Sequence, residues 1–196
     1  AEIRAIASTS ISALTTEHIA ALDSSQIAAL ATTQIGALNT TQVAAIETSD
    51  LAGLNTASVR ALTTAGVANL TTDQVSALNS TQVGALTSTQ TAVLTTDQVV
   101  ALNTAHAAAL NSAQVAVFNT AQVAAMETSD LLVLNTSAIR AMSTAAVAAM
   151  STEQIAAMNS AQINALSTSQ VANLNTNQIG AIETSDLAVL TTAQVA

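Results

Sequence analysis

From Thr15 the chain repeats an eight-residue phrase, TTEHIAAL, DSSQIAAL, ATTQIGAL, NTTQVAAI, ETSDLAGL, NTASVRAL, and keeps that frame to Val195 with no insertion or deletion. Writing the octad positions as p1 to p8, the consensus is [N/T/S]-[T/S]-x-Q-[V/I]-x-A-[L/M/I]. One octad holds two large aliphatic residues, at p5 and p8, and cannot enclose a core. Its neighbours must cover it, so the repeat constrains the chain to a solenoid.

The spacing of the aliphatics selects the element. On a strand, p5 and p8 would point to opposite faces. On a helix they are i and i+3 and share one face. Position p1 is Thr, Asn or Ser, sometimes Glu or Asp, and p4 is most often Gln. That is capping-box spacing, in which the p1 side chain accepts from the p4 amide and Gln reaches back to the p1 amide. A continuous helix is excluded, because eight residues turn about 800° and the apolar stripe would drift roughly 80° per octad. The expected fold is therefore an all-α solenoid with one helix of six or seven residues per octad. Such helices are too short to stand alone and depend on stacking. The alternative is a β-solenoid, which Thr, Val and Ile would suit. Five Gly and no Pro in 196 residues leave few of the turn residues that β-coils place at their corners.

Deviant octads recur at fixed distances. ETSDL opens at Glu47, Glu127 and Glu183, at spacings of 80 and 56 residues, and Arg4, Arg60 and Arg140 follow spacings of 56 and 80. The acidic p3 residues Glu17, Asp73, Asp97 and Glu153 step by seven, three and seven octads. If seven octads make two turns and ten make three, one turn holds about 3.4 octads, or about 27 to 28 residues. The charged octads then align as a seam. Glu47, Glu127, Glu183, Asp50, Arg60, Asp130 and Arg140 are the candidate residues of an inter-coil or lateral ion-pair seam. Asp50 and Arg60, like Asp130 and Arg140, lie ten residues apart in adjacent octads. A solvated pair of this kind contributes under ~1 kcal/mol.

Composition closes several functional classes. Three basic residues against twelve acidic ones give a formal charge of −9, which offers no grip on nucleic-acid phosphates or anionic lipid. Polar residues interrupt every octad, so no window reaches the roughly 18 to 20 apolar residues of a membrane span. Phe118 is the only aromatic residue and there is no cysteine, which removes aromatic interface anchors and disulfides.

His18 and His106 replace the p4 Gln eleven octads apart. They read as capping substitutions, because a metal centre needs several converging ligands. The acidic octads lack the dense Asp/Asn/Gly spacing of calcium loops, so no cofactor or metal is expected. Ser and Thr recur without His/Asp partners, so no enzyme activity is expected. Met126, Met142, Met150 and Met158 stand at p8 as core fillers. The sequons at Asn39, Asn69, Asn79 and Asn135 are the chance product of a chain rich in Asn, Ser and Thr.

In the octad frame Ala1 falls at p3 and Ala196 at p6, and neither end carries the polar cap of a free-standing solenoid. Residues 1–196 are expected to form one continuous array, as a segment of a longer one.

The phrase LTTxQVxAL, present as LTTDQVSAL and LTTDQVVAL, resembles the tandem repeats of very large bacterial extracellular and cell-surface proteins described as haemolysin-like or adhesin-like. It also resembles, over a few residues, the helix-opening phrase of TAL-effector repeats, without their 34-residue unit, base-reading loop or basic charge. The surface-protein likeness implies an extracellular or cell-surface stalk, sheath or fibre and no catalytic residue. The expected role is a structural, non-enzymatic rod whose uncharged polar surface packs against identical chains. The alternative is a regular Thr surface matching ice or a polysaccharide, which a flat β-face would favour.

Overall fold

Asn39–Ile46 shows how one octad folds. Asn39 is extended, with φ −81° and ψ 171°, and its Oδ1 accepts from the Gln42 N–H at 2.9 Å. In return Gln42 Oε1 accepts from the Asn39 N–H at 2.9 Å. With two orphan donors satisfied, the helix Thr40–Ala44 starts at p2. It ends when the p8 N–H donates to the p5 carbonyl, here Ile46 to Val43 at 3.3 Å, a 3-10 closure that tightens the last turn.

The computed structural model describes residues 2–195, and these form a 3-10 turn, Glu2–Ala5, followed by twenty-four short α-helices in octad register with no strand among them. The helices run four to six residues, shorter than the six or seven expected from sequence. The cause lies at the corner. In many octads p8 has already left the helical region, as at Leu78 with φ −60° and ψ 146°, and p1 is extended, so at most p2 to p7 are helical. Two successive extended residues redirect the chain. Among the described residues none has positive φ, so the corners need neither glycine nor proline, and their scarcity in the sequence is no obstacle to a tightly turning coil.

The chain divides into two compact units, Ala1–Ala101 and Leu102–Ala196. In the first, helix Ser24–Ala29 packs on Thr48–Leu51 and Thr32–Ile35 on Thr56–Ala61. In the second, Thr104–Ala109 packs on Thr128–Val133 and Ser112–Val115 on Thr136–Ala141. Within each unit these helices therefore meet the one three octads on. Polar links reach further: Gln42 bonds to residues 31 and 28 positions earlier, and Gln162 does the same. Contacts at three octads combined with bonds into the fourth place more than three and fewer than four octads in a turn, in agreement with about 3.4.

The core of each unit is the p5/p8 stripe. Val59, Val67, Ile139 and Ile163 at p5 are 0% exposed. Leu54, Leu134 and all four Met at p8 are buried, and so is Phe118. Burying each such side chain stabilises by roughly 1.5 to 3 kcal/mol.

Backbone proximity between coils varies, and the glycines report it. A Cβ on Gly53 would stand 2.5 Å from the Ser24 carbonyl oxygen, whereas one on Gly180, in helix Thr176–Ala181, would meet nothing within 4 Å. Gly53→Ala is expected to cost about 1–3 kcal/mol by forcing two coils apart. Gly180→Ala should gain about 0.5–1 kcal/mol by restricting the unfolded chain. Urea denaturation of the two variants checks both signs.

Candidate functional site

Among the described residues the side chain that most often bonds from one coil to the next is the p4 glutamine. Its Oε1 completes the capping box of its own octad while its Nε2 donates to carbonyl oxygens of the coil before. Gln82 gives Nε2 to Leu51 O and Leu54 O, both at 2.7 Å. Gln98 gives it to Val67 O at 2.9 Å and Leu70 O at 2.7 Å. In the second unit Gln154 bonds Val123 O at 2.8 Å and Met126 O at 2.7 Å. These amides are 2–3% exposed. In these three the acceptors are the p5 and p8 carbonyls of the octad four earlier, whereas Gln194 takes the p6 and p8 carbonyls of Asn164 and Leu166; either way the bridged octad is tied to the chain about one turn away. The p8 carbonyl lies at the corner, where no helix can satisfy it; the glutamine does so.

Capping chemistry alone does not reveal this second contact. One signal was present in the sequence. From Thr15 onward Glu never stands at p4, although Glu serves a capping box as well as Gln. The far end of the side chain has to donate, which a carboxylate cannot do.

The histidines follow the capping half of the pattern. Nδ1 of His18 accepts from the Thr15 N–H at 3.2 Å, and Nδ1 of His106 from the Asn103 N–H at 3.3 Å. Among the described residues no group of three or more His, Cys, Asp or Glu is arranged to hold a metal ion. Asn39, Asn79 and Asn135, three of the four sequon residues, are helix N-caps. Asn69 ends the helix Thr64–Ala68.

The ETSDL octads depart from every element of this scheme. Glu47, Glu127 and Glu183 stand at p1 but make no side-chain cap bond, whereas the shorter Asp23 does cap. Their p4 residue is Asp, which is buried: Asp50 is 8% exposed, Asp130 2% and Asp186 6%. The arginines in the octads that follow, Arg60 and Arg140, are exposed. The solvated Asp–Arg pair expected from sequence is thus not the setting these side chains adopt, because p4 faces the previous coil and p6 faces outward. Glu47, Glu127 and Glu183 remain exposed with the arginines.

The three aspartates differ among themselves. Asp50 Oδ1 accepts from Ser24 Oγ at 2.7 Å, 26 residues earlier, and Asp186 accepts from Ser160 at the same register. At that register from Asp130 stands Thr104, and Asp130 Oδ2 is buried without a hydrogen-bond partner. Burial, with a smaller contribution from the neighbouring Glu127 charge, pushes the Asp130 carboxyl up to about 6. The exposed p3 acids Glu17 and Glu153 go the other way. Hydrogen bonds to their own backbone amides, then to the Thr15 and Ser151 hydroxyls, hold them below the usual range.

Each ETSDL octad at 47 and 127 also opens a longer interruption. The p4 residues of three consecutive octads are Asp50, Ser58 and Gly66 in the first unit, and Asp130, Ala138 and Ala146 in the second. Nearly a full turn in each unit is without glutamine bridges to the coil before it.

An array of this kind, stacked from octapeptide helices and tied by p4 glutamines, is an all-helical repeat protein, and such a fold fits a structural role. The ALTTAQ repeat family model matches at residues 43–80, 76–104, 96–128, 123–160 and 155–181. These matches join into one stretch over most of the chain, which belongs to the ALTTAQ repeat family. No curated protein matches it. Among the described residues no helix is long and apolar enough to cross a membrane.

Proposed function

We propose that the chain is a structural, non-enzymatic element of an extracellular or cell-surface filament, sheath or adhesin stalk, and that its partner is other copies of itself. The glutamine bridge carries this reading. It gives the glutamine octads the same bond to the coil before them, so the array can be lengthened by adding such octads without new chemistry. The outward positions support it as well. They are mostly Ser, Thr, Ala and Asn with a net negative charge, a surface suited to packing beside identical chains and unsuited to nucleic acid.

Negative-stain electron microscopy and sedimentation of the purified chain over a range of concentrations test the proposal. Concentration-dependent filaments of constant width are expected. A chain that stays monomeric at the highest concentration would overturn self-association. A reproducible turnover in a broad hydrolase screen would overturn the non-enzymatic role.

One further observation favours a polysaccharide as a second reading: every octad from Ser8 to Thr192 carries Ser or Thr at p2, and most of these residues are exposed. Specific retention of the chain on an insoluble polysaccharide, with no filaments, would favour that reading. Ice is disfavoured, since the described residues hold no strand from which a flat β-face could be built.

A further inference from the structure

The glutamine-free turn of the second unit, 127–150, replaces an amide that donates to the previous coil with groups that cannot. Ala138 and Ala146 have no polar side chain, and both are 0% exposed. Asp130 has a carboxylate, which only accepts. At the register of the consensus glutamine the acceptors lie 28 and 31 residues back, and for Asp130 the first of these positions is Leu102. An ionised Asp130 therefore occupies a place where the glutamine octads put a donor, and its Oδ2 is sealed from water with no partner. Asp50 and Asp186 escape this conflict through the Ser24 and Ser160 hydroxyls.

We infer that Asp130 makes this turn a proton-operated clasp: the neutral carboxyl supplies the O–H donor that glutamine supplies elsewhere and closes the turn onto the coil before it, and the carboxylate loosens it. The raised range of this group, about 6, puts the change within mildly acidic conditions.

The nearest charge agrees with the direction. Glu127, on the cap of the same helix, disfavours the ionised form. The helix Thr128–Val133 packs on Thr104–Ala109, which carries His106, and on Thr152–Ala157, which carries the exposed Glu153. Arg140, one octad on, is exposed and is not placed to neutralise a buried carboxylate. Because the folded-state value lies above that of an open chain, protection is least above about pH 6. It rises as pH falls through that value, and the gain is complete only below the ordinary carboxylate range near 4.

Amide hydrogen exchange on the full chain, corrected for intrinsic rates, tests the clasp. Between pH 7.5 and 5, protection within 127–150 is expected to rise at least about tenfold, while the glutamine-bridged octads from 151 to 170 change little. Asp130→Asn should abolish the pH response; Asp50→Asn, in the other unit, should leave it intact. A response that persists in Asp130→Asn, or no response in the natural chain, overturns the proposal. The 13C titration of the Asp130 carboxyl in the natural chain decides the matter even if the variant does not fold. A midpoint near 6 supports the clasp, and one near 4 rejects it.

Discussion

Replacing Gln162 with alanine is expected to destabilise the second unit by about 3–5 kcal/mol. Gln162 is 1% exposed. Its Nε2 donates to Leu131 O at 2.8 Å and Leu134 O at 2.9 Å, and its Oε1 accepts from the Asn159 N–H at 3.2 Å. Truncation leaves buried carbonyl and amide groups without partners, each costing about 1–3 kcal/mol. Gln26 makes the comparison sharp. It is exposed and completes only its own capping box, with the Asp23 N–H at 3.0 Å, so Gln26→Ala should cost only about 0.5–1.5 kcal/mol. Urea midpoints of the two variants separate the roles. Equal losses would mean that capping, and not inter-coil bonding, is what glutamine contributes.

The second large effect is expected in the core. Ile139 is 0% exposed, and its helix, Thr136–Ala141, is packed between Ser112–Val115 and Ser160–Ala165. Ile139→Ala removes three methyl-sized groups from a space bounded by short helices packed on both sides. Little relaxation is possible there, and a loss of about 2–5 kcal/mol follows. Ile139→Val should cost about 0.5–1.5 kcal/mol. Leu132 points outward at 47% exposure, and Leu132→Ala should fall within about 0.5 kcal/mol of the parent. Thermal unfolding of the three variants orders them. A loss at Leu132 equal to that at Ile139 would mean that the apolar stripe has been assigned to the wrong face.

Much of the fold was legible in the octad. The i, i+3 aliphatics, the cap at p1 and the Gln at p4 are local facts, and local chemistry suffices to start and stop a helix. The spacings of the ETSDL octads pointed to a turn of about 3.4 octads, which the contacts at three octads and the bonds into the fourth agree with. The candidate seam was harder. Sequence placed Asp50 and Asp130 beside Arg60 and Arg140 as surface charges, because ten residues along a chain says nothing about which side of p4 meets another coil. Once coils stack, p4 is interior and p6 exterior, and the aspartates and arginines part company.

By itself, then, the repeat determined that the chain makes short capped helices, which residues of each octad are apolar enough to be covered, and that the covering must come from its own neighbours. These follow from bonds and periodicities spanning fewer than eight residues. Only the stacked structure decided that the glutamine amide reaches carbonyls 28 and 31 residues away and that an aspartate in its place is sealed from water. The reason is physical. Hydrogen-bond donation and dielectric burial depend on which distant backbone arrives beside a side chain, and that is settled by the coil, not by the octad.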